Sequence, residues 1–220
     1  MEKIKIYQTH NNGEPAVGIE VVDPSASLAD LLTAWQPLCD DTAIYKLYAA
    51  DNHSSCRACV ANCCNTAYVI PDLIAFRKMA LALNCDYPEF IADYFQSGKV
   101  ELGLPRLRPN PCLFLKEGIC TVYPVRSLIC RFYICTSFTG DTEQLIYDLA
   151  WTGAAATIVF ARERRLLPVG SPGGYSSFDL LFKRLLDEYQ DDPRIQLFLQ
   201  AIEYDDIPLK PFLERKLVEP

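Results

Sequence analysis

The chain has 220 residues, half of them hydrophobic and 22% charged, a balance that can bury a core without covalent staples. A net charge of −7 and a pI near 4.9 exclude the broad basic footprint that phosphate-backbone binding needs, so no nucleic-acid partner is expected. Met1–Tyr7 lacks the apolar run and cleavage site of a secretory signal, and the longest apolar run, Leu149–Ala161, is too short to span a bilayer. The expectation is a cytoplasmic protein with no membrane partner.

Ile4–Gln8 and Val17–Val22 read as strands, with Asn-Asn-Gly at 11–13 as the turn between them. Ser27 caps a helix over Leu28–Trp35, which Pro37 is expected to end. Ile44–Ala50 is ambiguous between helix and strand. Pro71 sits where a first helical turn accepts proline, and Leu73, Phe76, Met79, Ala80 and Leu83 give a helical stripe over 72–83. Tyr87–Gln96 continues as a second helix, stopped at Ser97-Gly98. Three prolines make Leu102–Pro111 an extended connector.

Lys116-Glu117-Gly118 is a turn that would bring Cys112 and Cys120 together. Beyond Thr139-Gly140-Asp141 a long helix is predicted over Glu143–Arg164, thin at Gly153–Ala156, where something should pack closely. A glycine- and proline-rich loop follows at 168–174. Ser177–Tyr189 is a further helix, with Leu180, Leu181, Leu185 and Leu186 as its apolar face, and Pro193–Ala201 a short one. The tail from Pro208 carries no strong pattern. The fold class is mainly α with a small β component and long irregular metal-tied segments. Segments 1–50, 51–140 and 141–220 are expected to form one compact domain.

The chemistry lies in the cysteines. The chain has ten, and eight fall in two blocks: Cys56, Cys59, Cys63 and Cys64, then Cys112, Cys120, Cys130 and Cys135. In a reducing compartment, clustered cysteines point to metal or redox chemistry rather than to a disulfide framework. Soft thiolates must gather within about 2.3 Å of one ion or cluster, and close spacing lowers the entropy of gathering them. Cys56, Cys59 and Cys63 would share a helical face, but Cys64 cannot join them, since neighbours on a helix diverge by about 100°. The adjacent pair therefore argues for two centres or for a larger object, such as a cubane with separate iron corners. Eight thiolates satisfy two [4Fe-4S] clusters or two zinc sites; one site with the other cysteines as thiols is also open.

Four thiolates against a +2 core leave about −2, which nearby arginines can offset. Arg57, Arg126 and Arg131 stand beside the ligands in sequence. His53 reads as a solvated loop residue, and Cys39 and Cys85 as buried thiols outside the site. With two histidines, no catalytic triad is supported, and Ser171-Pro172-Gly173-Gly174 lacks the lysine of a phosphate loop.

Both cysteine blocks resemble the cysteine-cluster family of zinc- or iron-chelating proteins. That family has a C-x-x-C-x-x-C-C cluster followed by C…L…G-x-C…Y-x-x-R-P-x-x-C-R. Cys56, Cys59, Cys63 and Cys64 match the first part; Cys112, Leu115, Gly118, Cys120, Tyr123, Arg126, Cys130 and Arg131 match the second. There are two departures: an extra residue between Cys59 and Cys63, and Ser127 where the family has proline. The resemblance implies a metal or cluster as ligand, with a redox or protein partner. The leading expectation is one or two iron–sulfur clusters for electron transfer or metallocentre maturation. The alternatives are a zinc-stabilised interaction module and a cluster-dependent protein-modifying enzyme.

Overall fold

A computed structural model describes residues 2–11, 13–48, 63–65, 68–109, 111–168 and 174–214. Cys56, Arg57, Cys59 and His53 lie outside the described residues, as does most of the loop at 168–174.

Strands β1 (Ile4–Asn11) and β2 (Glu14–Val21) pair antiparallel as expected, with Gly13 at φ +85° in the turn. Helix α1 (Leu28–Asp40) starts at Ser27, whose side chain and that of Asp30 form a reciprocal capping box. It does not stop at Pro37. The hydrogen bond that proline removes belongs to the Thr33 carbonyl, and both residues are exposed, so water can serve that carbonyl. Burial of Leu38 and Cys39 holds the last turn in place. Next come α2 (Thr42–Tyr48), which resolves the ambiguous stretch as helix, and α3 (Leu73–Ala82). Pro71 stands one residue outside the α3 cap, and Asp72 is the cap itself. Helix α4 (Tyr87–Tyr94) leads into a short α5 (Ser97–Val100), so Ser97-Gly98 begins a helix rather than ending one.

The connector at 102–111 is irregular, as predicted, yet Leu104, Arg106 and Leu107 are buried, and the Leu107 N–H reaches the Val69 carbonyl. Strands β3 (Leu115–Lys116) and β4 (Ile119–Cys120) form a small hairpin. Glu117 at φ 51° and Gly118 at φ 76° give its two-residue loop the left-handed backbone that such turns need. Helix α6 (Leu128–Phe132) follows, then β5 (Ser137–Phe138), which pairs parallel with β2 to complete a three-stranded sheet.

Helix α7 (Thr142–Glu163) runs through the middle of the molecule. By length and composition it could cross a membrane, but its apolar stretch is mostly buried within the protein. A Cβ on Gly153 would stand 2.6 Å from the Asp72 Cβ and 3.0 Å from the Phe198 ring, so the thin stretch does admit a close neighbour. Helix α8 (Ser177–Gln190) does not use the predicted apolar face. Leu180 and Leu181 are exposed, while Asp179, Phe182 and Leu186 turn inward. Phe182 packs on Trp151 and Tyr68, and Asp179 accepts from Lys99 and Tyr68; a buried ion pair and aromatic contacts decided the rotation.

Helices α9 (Ile195–Gln200) and α10 (Lys210–Leu213) close the chain. The tail is not patternless in space: Ile207, Leu209 and Phe212 are buried, and backbone bonds tie 207–209 to 26–28. The architecture is mainly α with a small β component. Its buried residues form one core cluster from Ile4 to Phe212, with contributions from all three sequence segments.

Candidate metal centre

Three separate pieces of chain bring thiols to one region. The first is a 3-10 turn, Cys63–Asn65, joined to the second block by the Cys112 N–H, which donates to the Cys64 carbonyl at 2.7 Å. The second is the β3–β4 hairpin, which carries Cys112 just ahead of it and Cys120 at its end. The third is α6, with Cys130 on it and Cys135 just beyond. Electrostatic coupling maps the neighbourhood. Cys64 acts on Cys112, Cys120 and Cys130, while Cys63 is coupled to Cys64, Cys130 and Cys135. The structure thus gathers six of the eight predicted ligands.

Burial pushes the Cys112, Cys120 and Cys130 thiols up, and neighbouring thiols add to it. Cys63 and Cys64 behave as a pair. The hydrogen bond between their side chains, reinforced by burial, holds Cys63 protonated, and the same bond pulls Cys64 down despite burial. The Arg126 charge lowers Cys64 further and opposes the rise at Cys120 and Cys130. Arg126 is 5% exposed, stacks on the Tyr123 ring at 3.6 Å and donates to the Tyr123 carbonyl at 2.8 Å. These contacts fix a cation beside the thiols.

Arg131 is placed differently. Its guanidinium donates to the Arg126 and Pro124 carbonyls, so it clamps the link between hairpin and helix. Tyr123 is half-buried and bonds Asp40, whereas Tyr133 is 53% exposed and shields little. Cys39 is buried in α1, its thiol 3.5 Å from the Arg131 carbonyl, and Cys85 is half-buried with its thiol 3.6 Å from the Ala80 carbonyl.

The donor set suits a thiophilic ion or an iron–sulfur core: six half-buried sulfurs and a buried cation. Among the described residues, no three His, Cys, Asp or Glu side chains stand close enough to hold one ion. Where the structure does enclose space, between α7 and α8, about 10 Å³ is available beside Leu104, Ile158 and Leu186, room for about one water molecule.

The positions that sequence reasoning missed are Asp72, Ser127 as a hydroxyl donor, and Tyr204. They meet behind α6, where the buried Asp72 carboxylate accepts from the Ser127 and Tyr204 hydroxyls. Asp72 ahead of an apolar run was a visible cap signal. Its partners 55 and 132 residues away were not visible.

The described residues thus show a mainly helical protein with a half-buried thiol cluster beside a buried arginine. Residues 55–149 match the CxxCxxCC family, described as a "putative zinc- or iron-chelating domain". The match spans both cysteine blocks and runs into α7, so the recognition made from the cysteine pattern stands, and metal chelation is the coarse function of this segment. No curated protein and no solved structure matches the chain.

Proposed function

We propose that the protein holds one or two iron–sulfur clusters on Cys56, Cys59, Cys63, Cys64, Cys112, Cys120, Cys130 and Cys135, and serves electron transfer or metallocentre maturation with a redox or protein partner. One observation carries the reading: thiols from the 63–64 turn, the hairpin and α6 lie within one another's electrostatic reach. A cubane has four separate iron corners and can use adjacent sulfurs that one ion cannot easily share. Bound there, it would supply one-electron chemistry. The protein's own part is to bury the sulfurs and set Arg126 against their charge.

Zinc is the second reading, and the hairpin favours it. Cys112 and Cys120 flank a tight turn, and Cys64 with Cys130 supplies two more neighbouring sulfurs, enough for one tetrahedral ion. Metal and sulfide analysis of anaerobically purified protein separates the two. Bound iron with acid-labile sulfide and broad absorbance near about 400 nm supports the cluster. Colourless protein with stoichiometric zinc defeats it.

A further inference from the structure

Helix α6 has five residues, too few to be stable alone. It nevertheless carries Cys130, and the preceding turn carries Arg126. What fixes it lies at its two ends. At the C-terminal end the Arg131 carbonyl accepts from the Trp35 indole at 3.0 Å and from the Cys39 thiol at 3.5 Å. At the N-terminal end Ser127 makes no capping bond with its own side chain. The cap comes from α3.

The Asp72 carboxylate is 1% exposed and accepts four hydrogen bonds. Two keep their distance within α3 and the C-terminal tail: Ala75 N–H at 3.0 Å and the Tyr204 hydroxyl at 3.0 Å, both to Oδ1. Two belong to α6: Leu128 N–H at 2.8 Å and the Ser127 hydroxyl at 3.1 Å, both to Oδ2. The Asp72 N–H donates back to Ser127 Oγ at 3.2 Å. Helix α7 seats this carboxylate: Gly153 leaves room for its Cβ, and the Thr157 hydroxyl holds the Pro71 carbonyl at 2.7 Å. One buried carboxylate therefore caps two helices, the long α3 and, from outside, the short α6.

We infer that Asp72 is a positioning residue for the thiol centre: by capping α6 it sets where Cys130 and Arg126 stand relative to Cys64, Cys112 and Cys120. The inference rests on the metal reading for its function, but the geometry can be tested without metal. Among the described residues, none of the hydrogen bonds of Asp72 goes to sulfur. Asp72 acts through the Leu128 N–H and the Ser127 hydroxyl.

The test compares Asp72→Asn and Ser127→Ala with Tyr204→Phe in the full chain. Asparagine keeps one acceptor for Ala75 and Tyr204 but loses the carboxylate oxygen that faces α6. Phenylalanine removes a bond to the same carboxylate, together with the hydroxyl's contact with Arg131, but leaves both bonds from Asp72 to α6 in place. Residue-resolved labelling by iodoacetamide in the presence of chelator reads the local opening, and the Co(II)–thiolate absorption spectrum reads the geometry of the loaded site.

In Asp72→Asn and Ser127→Ala, Cys130 should label faster than Cys112 and Cys120 by about tenfold, as expected for lost hydrogen bonds to a buried charge. The Co(II) spectrum should shift in the same two variants and stay unchanged in Tyr204→Phe. A merely structural role predicts otherwise: all three thiols accelerate together, in all three variants, in step with lost global stability. That result overturns the inference, and so does an unchanged Cys130 rate in Asp72→Asn. Wild-type protein that takes up no Co(II), Zn(II) or iron would sink the metal reading, while the labelling ratio would still decide the part of Asp72.

Discussion

Gly153→Ala should destabilise this protein although it places a better helix former in a helix interior. In an exposed position the exchange gains about 1 kcal/mol. Here the new Cβ would sit 2.6 Å from the Asp72 Cβ, closer than real Cβ atoms approach, and 3.0 Å from the Phe198 ring, a tight contact. Neither neighbour is the free end of a flexible chain. Asp72 is held by four hydrogen bonds, and Phe198 is fully buried. The strain must be relieved by moving α7 away from α3, at an overpacking cost of about 1–3 kcal/mol. That movement also stretches the buried bond from Thr157 to the Pro71 carbonyl, worth about 1–3 kcal/mol if broken. Against the propensity gain, the net loss is about 1–5 kcal/mol, or a fall in Tm of several degrees at about 2–4 °C per kcal/mol for a chain of this size. Gly98→Ala is the control. It lies in α5 with nothing within 4 Å of the new Cβ, and it should be neutral or stabilising. Denaturant midpoints of both variants give the comparison. A Gly153→Ala protein as stable as the parent would show that the α3–α7 approach is looser than described, and the account of how Asp72 is seated would go with it.

Arg126→Gln should weaken metal binding by about tenfold or more, read by competition with a chelator, because it removes the buried charge beside Cys64, Cys120 and Cys130; equal affinity would assign Arg126 to packing on Tyr123 alone. Cys130→Ser should lower bound metal per chain while Cys85→Ser leaves it unchanged, and identical metal content in both would place the site elsewhere. Asp179 is buried, which raises its pKa, yet bonds from Lys99 and Ser176 bring it down from 3.8 to about 2. The unfolded chain binds that proton first on acidification, so the stabilisation of about 2 kcal/mol is complete above about pH 4 and lost as pH falls through about 2. Asp179→Asn should flatten that acid limb in a pH series of denaturation midpoints, and an unchanged limb would remove the ion pair with Lys99 from the account.

Much of the local structure was written in local chemistry. The Asn-Asn-Gly and Glu117-Gly118 turns, the Ser27 cap and the α7 periodicity each rest on residues a few positions apart. The two cysteine blocks were equally plain, because soft donors at close spacing have few other uses. What stayed hidden depends on distant partners. Pro37 continues a helix because the carbonyl it strands faces solvent. Helix α8 turns Asp179 inward because Lys99 and Tyr68 wait there. Arg126 and Arg131 look alike in sequence, yet one stacks on Tyr123 while the other binds two backbone carbonyls.

The division of labour around α6 follows from the same physics. A four-thiolate site with a +2 core carries about −2, and buried negative charge is costly unless a cation or dipole opposes it. Arg126 opposes it directly. It can do so only because the turn before α6 presents its side chain to the sulfurs, and that turn is held by Arg131 against the Arg126 and Pro124 carbonyls. Ser127, where the family pattern has proline, sits at φ −59°, a backbone angle proline would also adopt. Proline would fix that angle covalently. Serine leaves it freer but adds a hydroxyl that binds Asp72, and so exchanges local stiffness for a tie to α3. The short helix that carries Cys130 is therefore held from outside, through the buried carboxylate that also caps α3.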